Sequence, residues 1–373
     1  MRRSAATVPA CLLVGLLACA CGGSSGGDAS AAASATTAAA RPTVTAAPPV
    51  TTTSAPPLPK RLGSGEAVTF AFGGDVMFEE PIRSYLSDPA SVFAPIRGVL
   101  RRADVAMANL ETPVTERGTP TAGKQYVFRA PPAAFDALRR SGLDVVTVAN
   151  NHGMDYGPVG MQDTLRNARR AGFPVVGGGL DEAQAFRPWR TIVHGQRIAV
   201  LGATQVIDEE LLSTWEARGR RTGVASAKYD MEGRLVRAVR QARRTSDTVV
   251  VYLHWGEEMQ ECPLDRQVSI AERLARAGAD IVIGSHAHIL LGGGMLGRAF
   301  VDYGLGNFVF YTGGGITAQS GVVEVTATGR RIDGYRFVPA EITGGRPEPV
   351  TGAAGTARIA AWNALRDCTG LHR

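Results

Sequence analysis

Asp75, Glu111, Asn151, His152, His254, His286 and His288 are side chains of the kinds that ligate metal ions or move protons, and each closely follows a short apolar run. The chain has six histidines, and four of them stand at these points. The other two, His194 in an expected turn and His372 at the C-terminus, read as structural or incidental. Carboxylate, amide and imidazole donors without a thiolate suit Mn, Fe or Zn in a reactive site better than a structural zinc. Taken singly, each signal is weak. A Gly-Asp after a strand is often a simple turn, and a lone buried histidine is usually a hydrogen-bonded core residue. The combination carries the weight. On an extended segment, His286 and His288 would point the same way. The competing reading is a hydrogen-bonded polar loop network that holds no metal.

The elements that would position these residues alternate along the chain. Val68–Phe72, Val105–Ala108, Val145–Ala149, Val249–Leu253 and Ile281–Ile283 read as strands, each ending near a candidate ligand. Between them, Phe93–Arg102, Pro132–Ser141, Gly160–Ala171, Met231–Arg244 and Val268–Ala277 read as helices. Ile192–Val193 and Ile198–Leu201 flank a hairpin turn at His194-Gly195-Gln196. After Ile283 the pattern turns mostly to strands (Ala299–Tyr303, Phe308–Tyr311, Val322–Thr326, Tyr335–Val338), and a helix near Ala357–Leu365 closes it. This order predicts an α/β domain with parallel and antiparallel pairings. In open sheets of that class, ligands bind where strands end at their carboxyl edge. Separate loops would therefore bring their polar residues to one place.

The N-terminus reads differently. Arg2 and Arg3 precede an apolar stretch from Val8 to Ala20 that ends in cysteines, too short to span a bilayer. Residues 1–21 are predicted to be a lipoprotein-type signal peptide, with Cys19 or Cys21 as the lipidation point. Residues 22–64, rich in Ala, Thr and Pro, are predicted to form a disordered tether. Residues 65–373 would then be a single folded domain, long enough for a full core and fed by a 45% hydrophobic composition. The expected location is extracytoplasmic, anchored to the cell membrane. The formal charge of +6 includes Arg2 and Arg3, which leave with the signal. The mildly basic remainder is compatible with an anionic ligand but reads more readily as a solvated surface. No nucleic-acid motif is present, so no nucleic-acid partner is expected. In an oxidising compartment Cys262 and Cys368 are predicted to form a disulfide.

Several segments together resemble the CapA family of capsule and poly-γ-glutamate synthesis, within the calcineurin-like metallophosphoesterase superfamily. They are Gly73-Gly74-Asp75-Val76-Met77, Ala108-Asn109-Leu110-Glu111, Phe128-Arg129-Ala130-Pro131, Ala149-Asn150-Asn151-His152-Gly153-Met154-Asp155-Tyr156-Gly157, His254-Trp255-Gly256, Gly284-Ser285-His286-Ala287-His288 and Gly304-Leu305-Gly306-Asn307-Phe308. The likeness runs from about Thr69 to Phe310. It implies a metallophosphoesterase-like α/β/β/α sandwich. It implies Asp75, Glu111, Asn151, His254, His286 and His288 as metal ligands, with Glu111 in the bridging place. His152 is similar to the superfamily's proton-donating histidine, with Asp155 to orient it. Where the superfamily places a histidine two residues after the first aspartate, this chain has Met77, a poor ligand for a divalent ion. One of two metal positions is then weak, differently occupied or empty.

What the resemblance implies is one or two divalent ions, Mn, Fe or Zn. Two such ions about 3.5–4 Å apart would activate a water and neutralise charge on a phosphoryl or acyl oxygen. The implied activity is that of a cell-envelope hydrolase or transferase acting on a phosphoester or an anionic polymer such as poly-γ-glutamate. The alternative is a non-catalytic, membrane-tethered assembly or binding component for such a polymer. Lys124 and Arg129 either bind an anionic substrate or are solvated. Asn307 either supports the site or caps a turn. Trp255 reads as packing more readily than as a stacking platform, and Glu257 and Glu258 as solvent-facing.

Overall fold

Each apolar run that precedes a candidate ligand forms a strand in the computed structural model, which describes residues 63–373. The predicted signal peptide, both candidate lipidation cysteines and the tether up to residue 62 lie outside the described residues. Ser64, assigned by sequence to the tether, packs on the hairpin turn, where its Oγ donates to the His194 carbonyl at 2.5 Å.

Two sheets stack face to face. The eight-stranded sheet has the order Arg346–Pro349, Arg331–Thr343, Gln319–Thr328, Val68–Val76, Val105–Leu110, Val145–Thr147, Val175–Val176, with Asn307–Val309 pairing off this path beside Val68–Val76. The six-stranded sheet runs Gly293–Leu296, Ala299–Asp302, Ile281–Ser285, Thr248–His254, Gln196–Thr204, Trp189–Val193. The ligand-bearing strands pair in parallel at the centre of each sheet. Covered on both faces, they are apolar without alternation: every residue of Thr248–His254 is buried.

Three apolar layers result. Phe70, Phe72 and Met107 of one sheet meet Val250, Tyr252 and Ile283 of the other between the sheets. Helices Ala133–Ser141 and Gly157–Ala171 cover the outer face of the first sheet. Helices Asp230–Arg243 and Asp265–Ala277 cover that of the second. Each fully buried Phe or Ile contributes on the order of 2 kcal/mol. The expected α/β/β/α sandwich is the observed arrangement. Helix Gly352–Ala364 completes the inter-sheet layer through Trp362, whose ring stacks on Phe337 with centroids 5.0 Å apart. Cys262 and Cys368 are joined by a disulfide, Cα–Cα 5.8 Å.

The expected helix Phe93–Arg102 is a correction. Only Arg97–Leu100 is α-helical, after a series of turns. Pro95 offers no N–H and disfavours a helical Ala94, which interrupts the run. The Phe308–Tyr311 strand is shorter and shifted, Asn307–Val309. The hairpin is longer than expected, because the exposed alternation of Trp189–Val193 was too weak to read.

Candidate metal centre

Asp75 lies where the first central strand is interrupted. Gly73 and Gly74 shift the register against Val105–Leu110 between Phe72 and Asp75. A Cβ on Gly74 would sit 1.9 Å from the Gly306 carbonyl oxygen, so only glycine admits this close approach. The Asp75 N–H donates to that same oxygen at 2.9 Å. The carboxylate is fully buried. Its Oδ1 accepts from Asn109 Nδ2 at 2.8 Å and its Oδ2 from the His286 backbone N–H at 3.1 Å. Burial raises this carboxyl above the ordinary range, opposed by His288 and Asn109.

Glu111 follows directly on the second strand, its N–H bonded to the Val76 carbonyl at 2.8 Å. Its side chain is fully buried, and neither carboxylate oxygen has a hydrogen-bond partner. Burial first, then the Asp75 charge, hold its carboxyl well above the usual range. A buried carboxylate without a partner costs several kcal/mol unless a cation meets it.

The imidazoles close around these carboxylates. His254 ends its strand with Nε2 2.7 Å from Asn151 Oδ1 and 3.5 Å from Glu111 Oε1. Its Nδ1 is 3.0 Å from Ser285 Oγ and 3.1 Å from Asn109 Nδ2. Burial drives this imidazole well below its ordinary value, with His286 adding to the effect. His286 Nδ1 is buried and unpartnered. Burial, then His288 and His152, and last Arg266 push the His286 ring down to about 3. His288 Nδ1 lies 2.8 Å from Asn307 Oδ1. The Asn307 amide donates to the carbonyls of His288 and Thr317, at 3.3 and 3.1 Å, which turns its oxygen toward the ring. His288 Nδ1–H is thereby fixed and Nε2 left free, an outer-sphere support of the kind metal-ligating histidines use.

The extended His286-Ala287-His288 segment is a second correction. The strand ends at Ser285, and the two histidines have φ of 99° and 57°, a left-handed region rare for side-chain-bearing residues. A turn, not strand alternation, carries both rings inward. Backbone held this way is concentrated at functional sites.

Two groups of ligand atoms result: Glu111 with His286 and His288, and Asp75 with Glu111 and His254. Within each group the atoms lie within 4.8 Å of one another. Glu111 is common to both, and Asn151 adjoins them through His254. The unpartnered oxygens of Glu111 and the unpartnered His286 Nδ1 fit a cation. Met77 does not join the cluster. It is fully buried in the outer core, and its sulfur accepts the Glu79 N–H at 3.3 Å.

Beside this cluster, His152 Nδ1 is 2.6 Å from Asp155 Oδ2, and its ring stacks on Phe128 at 3.9 Å. Burial lowers the His152 imidazole, against the pull of Asp155. Lys124 is neither a solvated side chain nor a free anion-binding group. Its Nζ bonds Asp155 Oδ1 at 2.5 Å and the Asn151 carbonyl, and lies 3.2 Å from His152 Nδ1. Arg129 rests over the Tyr156 ring at 4.7 Å. Trp255 is fully buried, stacked on Tyr303, with Nε1 donating to the Tyr303 carbonyl at 2.9 Å. Glu257 and Glu258 are exposed.

Sequence reasoning assigned no role to Asn109 or Asn150. Asn109 ties Asp75 to His254, and its Oδ1 accepts from Asn150 Nδ2 at 2.9 Å. Asn150 also donates to the Leu110 carbonyl at 2.8 Å and accepts the His152 N–H at 3.0 Å. Asparagines at two neighbouring strand ends were the available signal.

Residues 69–312 match the family model described as bacterial capsule synthesis protein PGA_cap. The chain is 29% identical over 311 residues to the capsule biosynthesis protein CapA of Bacillus anthracis, covering 81% of this chain and 74% of the relative. It is 30% identical over 292 residues to the PGA biosynthesis protein CapA of Bacillus subtilis (strain 168), covering 77% and 75%. A solved structure of a hypothetical protein from Thermus thermophilus aligns with TM-score 0.46 and 17% identity, over 74% of this chain and all (100%) of the other. With a family model matched over most of its folded part, the chain belongs to the bacterial capsule synthesis protein (PGA_cap) family.

Proposed function

We propose that this chain is a metal-dependent hydrolase or transferase of the cell envelope, held at the membrane by a lipid on Cys19 or Cys21, that acts on an anionic polymer such as poly-γ-glutamate or on a phosphoester. The observation that carries the reading is Glu111: a buried carboxylate with no partner, ringed by three imidazoles and a second carboxylate. The names of the relatives, capsule and PGA biosynthesis, support the polymer context.

Asp75, Glu111, Asn151, His254, His286 and His288 would hold one or two ions of Mn, Fe or Zn. When bound, such an ion neutralises charge on a phosphoryl or acyl oxygen and makes water acidic enough to serve as a nucleophile. The rest is the work of this chain's own side chains. Asp155, itself fixed by Lys124 and the Phe128 N–H, holds His152 at Nδ1. That leaves His152 Nε2 to exchange a proton with a leaving group. Phe128 covers one face of the ring and keeps water from it. The Asn109–Asn150 pair fixes the loop that carries Asn151 and His152.

The position of Met77 in the outer core, where a ligand would be expected, favours a second reading: a non-catalytic assembly or binding component. His152→Asn separates the two, because proton transfer requires the imidazole and a purely structural site tolerates the amide. The deciding experiment is elemental analysis of the chain from Lys60 to Arg373, beside a His286→Ala, His288→Ala double variant. One to two ions per chain, lost in the variant, sustain the enzyme reading. A protein that stays metal-free after incubation with Mn, Fe and Zn ends it in favour of the binding role.

A further inference from the structure

The six-stranded sheet opens, beside the metal centre, on a cleft of about 460 Å³ that none of the candidate ligands lines. One wall is the loop after Gln196–Thr204, the other the loop leading into helix Asp230–Arg243, and Gly256 and Arg266 line it as well. The cleft is coupled to the centre by backbone. The Gln205 N–H donates to the His254 carbonyl at 2.9 Å, and Gly256 lies two residues past His254.

Its polar groups divide into those already satisfied and those still open. Glu209 accepts from Lys228 Nζ and from Tyr229 Oη, each at 2.7 Å; Glu232 Oε1 is in an ion pair with Arg273 at 2.5 Å but accepts no hydrogen bond. Lys228 also donates to the Ile207 carbonyl at 2.8 Å. Asp208 stands exposed on the rim. Arg266, by contrast, gives one N–H to the Gly256 carbonyl at 3.0 Å and makes no ion pair among the described residues. Gln205 Oε1 is buried and has no partner. Tyr229 is 68% exposed, with φ 49° and ψ −126°, a conformation costly for a bulky residue. The cleft therefore offers a guanidinium that fits a carboxylate, an acceptor that needs an N–H, and a ring face suited to methylene groups. One residue of an amide-linked acidic chain carries all three complements: carboxylate, amide N–H and a CH₂ stem. A phosphate polymer supplies only the negative charge.

We infer that this cleft is a subsite for a residue of an amide-linked polyacid, next along the chain from the unit at the metal centre. Arg266 takes the carboxylate, Gln205 Oε1 the amide N–H, and Tyr229 the methylenes. The inference rests on the proposed function for its substrate class, but not on metal binding or turnover.

The test is calorimetric titration of the mature chain with a synthetic γ-linked oligoglutamate, and with polyphosphate for comparison. Arg266→Gln is expected to weaken oligoglutamate binding about tenfold, the loss of one charge-assisted contact. Gln205→Leu should weaken oligoglutamate but leave polyphosphate unchanged. Tyr229→Gly should raise thermal stability and still lower oligoglutamate affinity, a pairing that a merely structural tyrosine would not produce. The same losses are expected in the His286→Ala, His288→Ala background. There, binding that survives while metal is gone upholds the cleft even if the enzyme reading fails. Failure of the wild-type chain to bind oligoglutamate overturns the subsite. So does an Arg266→Gln variant of unchanged affinity, or equal losses for both polymers in Gln205→Leu, the mark of a general anion patch.

Discussion

The two ends of the central strands use carboxylates in opposite ways. At the amino-terminal end, Asp104, Asp144, Asp247 and Asp280 each stand immediately before a strand. Each accepts a backbone N–H from the strand beside it (Thr69, Ala106, Arg197 and Val249), in every case at 2.8 Å. Each also returns its own N–H to the carbonyl of that same residue, at 2.7 to 2.9 Å. These four aspartates are two-point clamps that satisfy strand ends. At the carboxyl end each Asp75 oxygen accepts one hydrogen bond, and neither Glu111 oxygen accepts any. Asp247 and Asp280 are as fully buried as Asp75 and Glu111, and the chemical group is the same. What differs is how far the fold supplies partners: Asp280 Oδ2 accepts from Val249 and Arg243 while its Oδ1 has no hydrogen bond, whereas neither Glu111 oxygen accepts any. A carboxylate the fold satisfies is structural. One that the fold buries and leaves open weakens the ligand-free protein, and its presence points to a ligand that completes it.

The comparison is broken most forcefully at Asp280. Asp280→Ala leaves the Arg243 guanidinium and the Val249 N–H without their partner, in a region where Asp280 is fully buried. A loss of about 3–5 kcal/mol is expected in urea unfolding, with metal content unchanged. Metal loss in this variant would mean the two ends are not independent.

Asp302 is an intermediate case, fully buried, with Oδ1 accepting from the Gly304 N–H at 3.0 Å and Oδ2 unpartnered. Burial pushes its carboxyl up to about 8 from an ordinary 3.8. Between those values the folded state holds a proton that the unfolded state has released. Its contribution is therefore full below the unfolded value and is lost as pH rises through the folded one. The slope approaches about 1.4 kcal/mol per pH unit at most. Asp302→Asn should flatten the decline of metal-free Tm between about pH 5 and pH 8. Parallel curves for the two proteins would show that Asp302 ionises as easily folded as unfolded.

At Glu111 the sign of the stability change reverses. Glu111→Gln removes a buried, unpartnered carboxyl that is costly to ionise, so the metal-free protein should gain about 1–3 kcal/mol. It should also lose the rise in Tm that Mn, Fe or Zn gives the parent by binding the folded state. A destabilised metal-free variant would mean that Glu111 is satisfied by something other than a cation.

How far these ends could be read in advance follows from the range of the interactions. Strand runs that stop at Asp75, Glu111, Asn151 and His254 were legible, because parallel strands buried on both faces are apolar throughout and end abruptly. The α/β class followed from their order, and the sandwich from the CapA likeness. The role of Lys124 was not legible. It comes from a loop without periodicity, and its partner Asp155 is 31 residues away. Nor was the Asn109–His254 contact, which spans 145 residues between two sheets. The left-handed turn at His286 and His288 was hidden because residue type alone suggested an extended pair. The clamps were written in the sequence as Asp before an apolar run, at Asp104-Val105, Asp144-Val145, Asp247-Thr248 and Asp280-Ile281, a local pattern whose meaning depends on the neighbouring strand.

The smallest expected effect sharpens the comparison most finely. Asp104 makes the same backbone clamp as Asp280, yet its side chain is 28% exposed and its ionic neighbour His194, at 3.4 Å, is 50% exposed. Exposed pairs of this kind contribute little, so Asp104→Ala should cost about 1 kcal/mol, the value of one hydrogen bond to the Thr69 N–H. If urea unfolding gives that small loss beside a large one at Asp280, burial of the charge is what makes a carboxylate expensive to strand, and the same rule makes Glu111 costly until a cation meets it. If the two losses are equal, the clamp itself sets the energy, and an open carboxylate at the other end no longer implies a missing ligand.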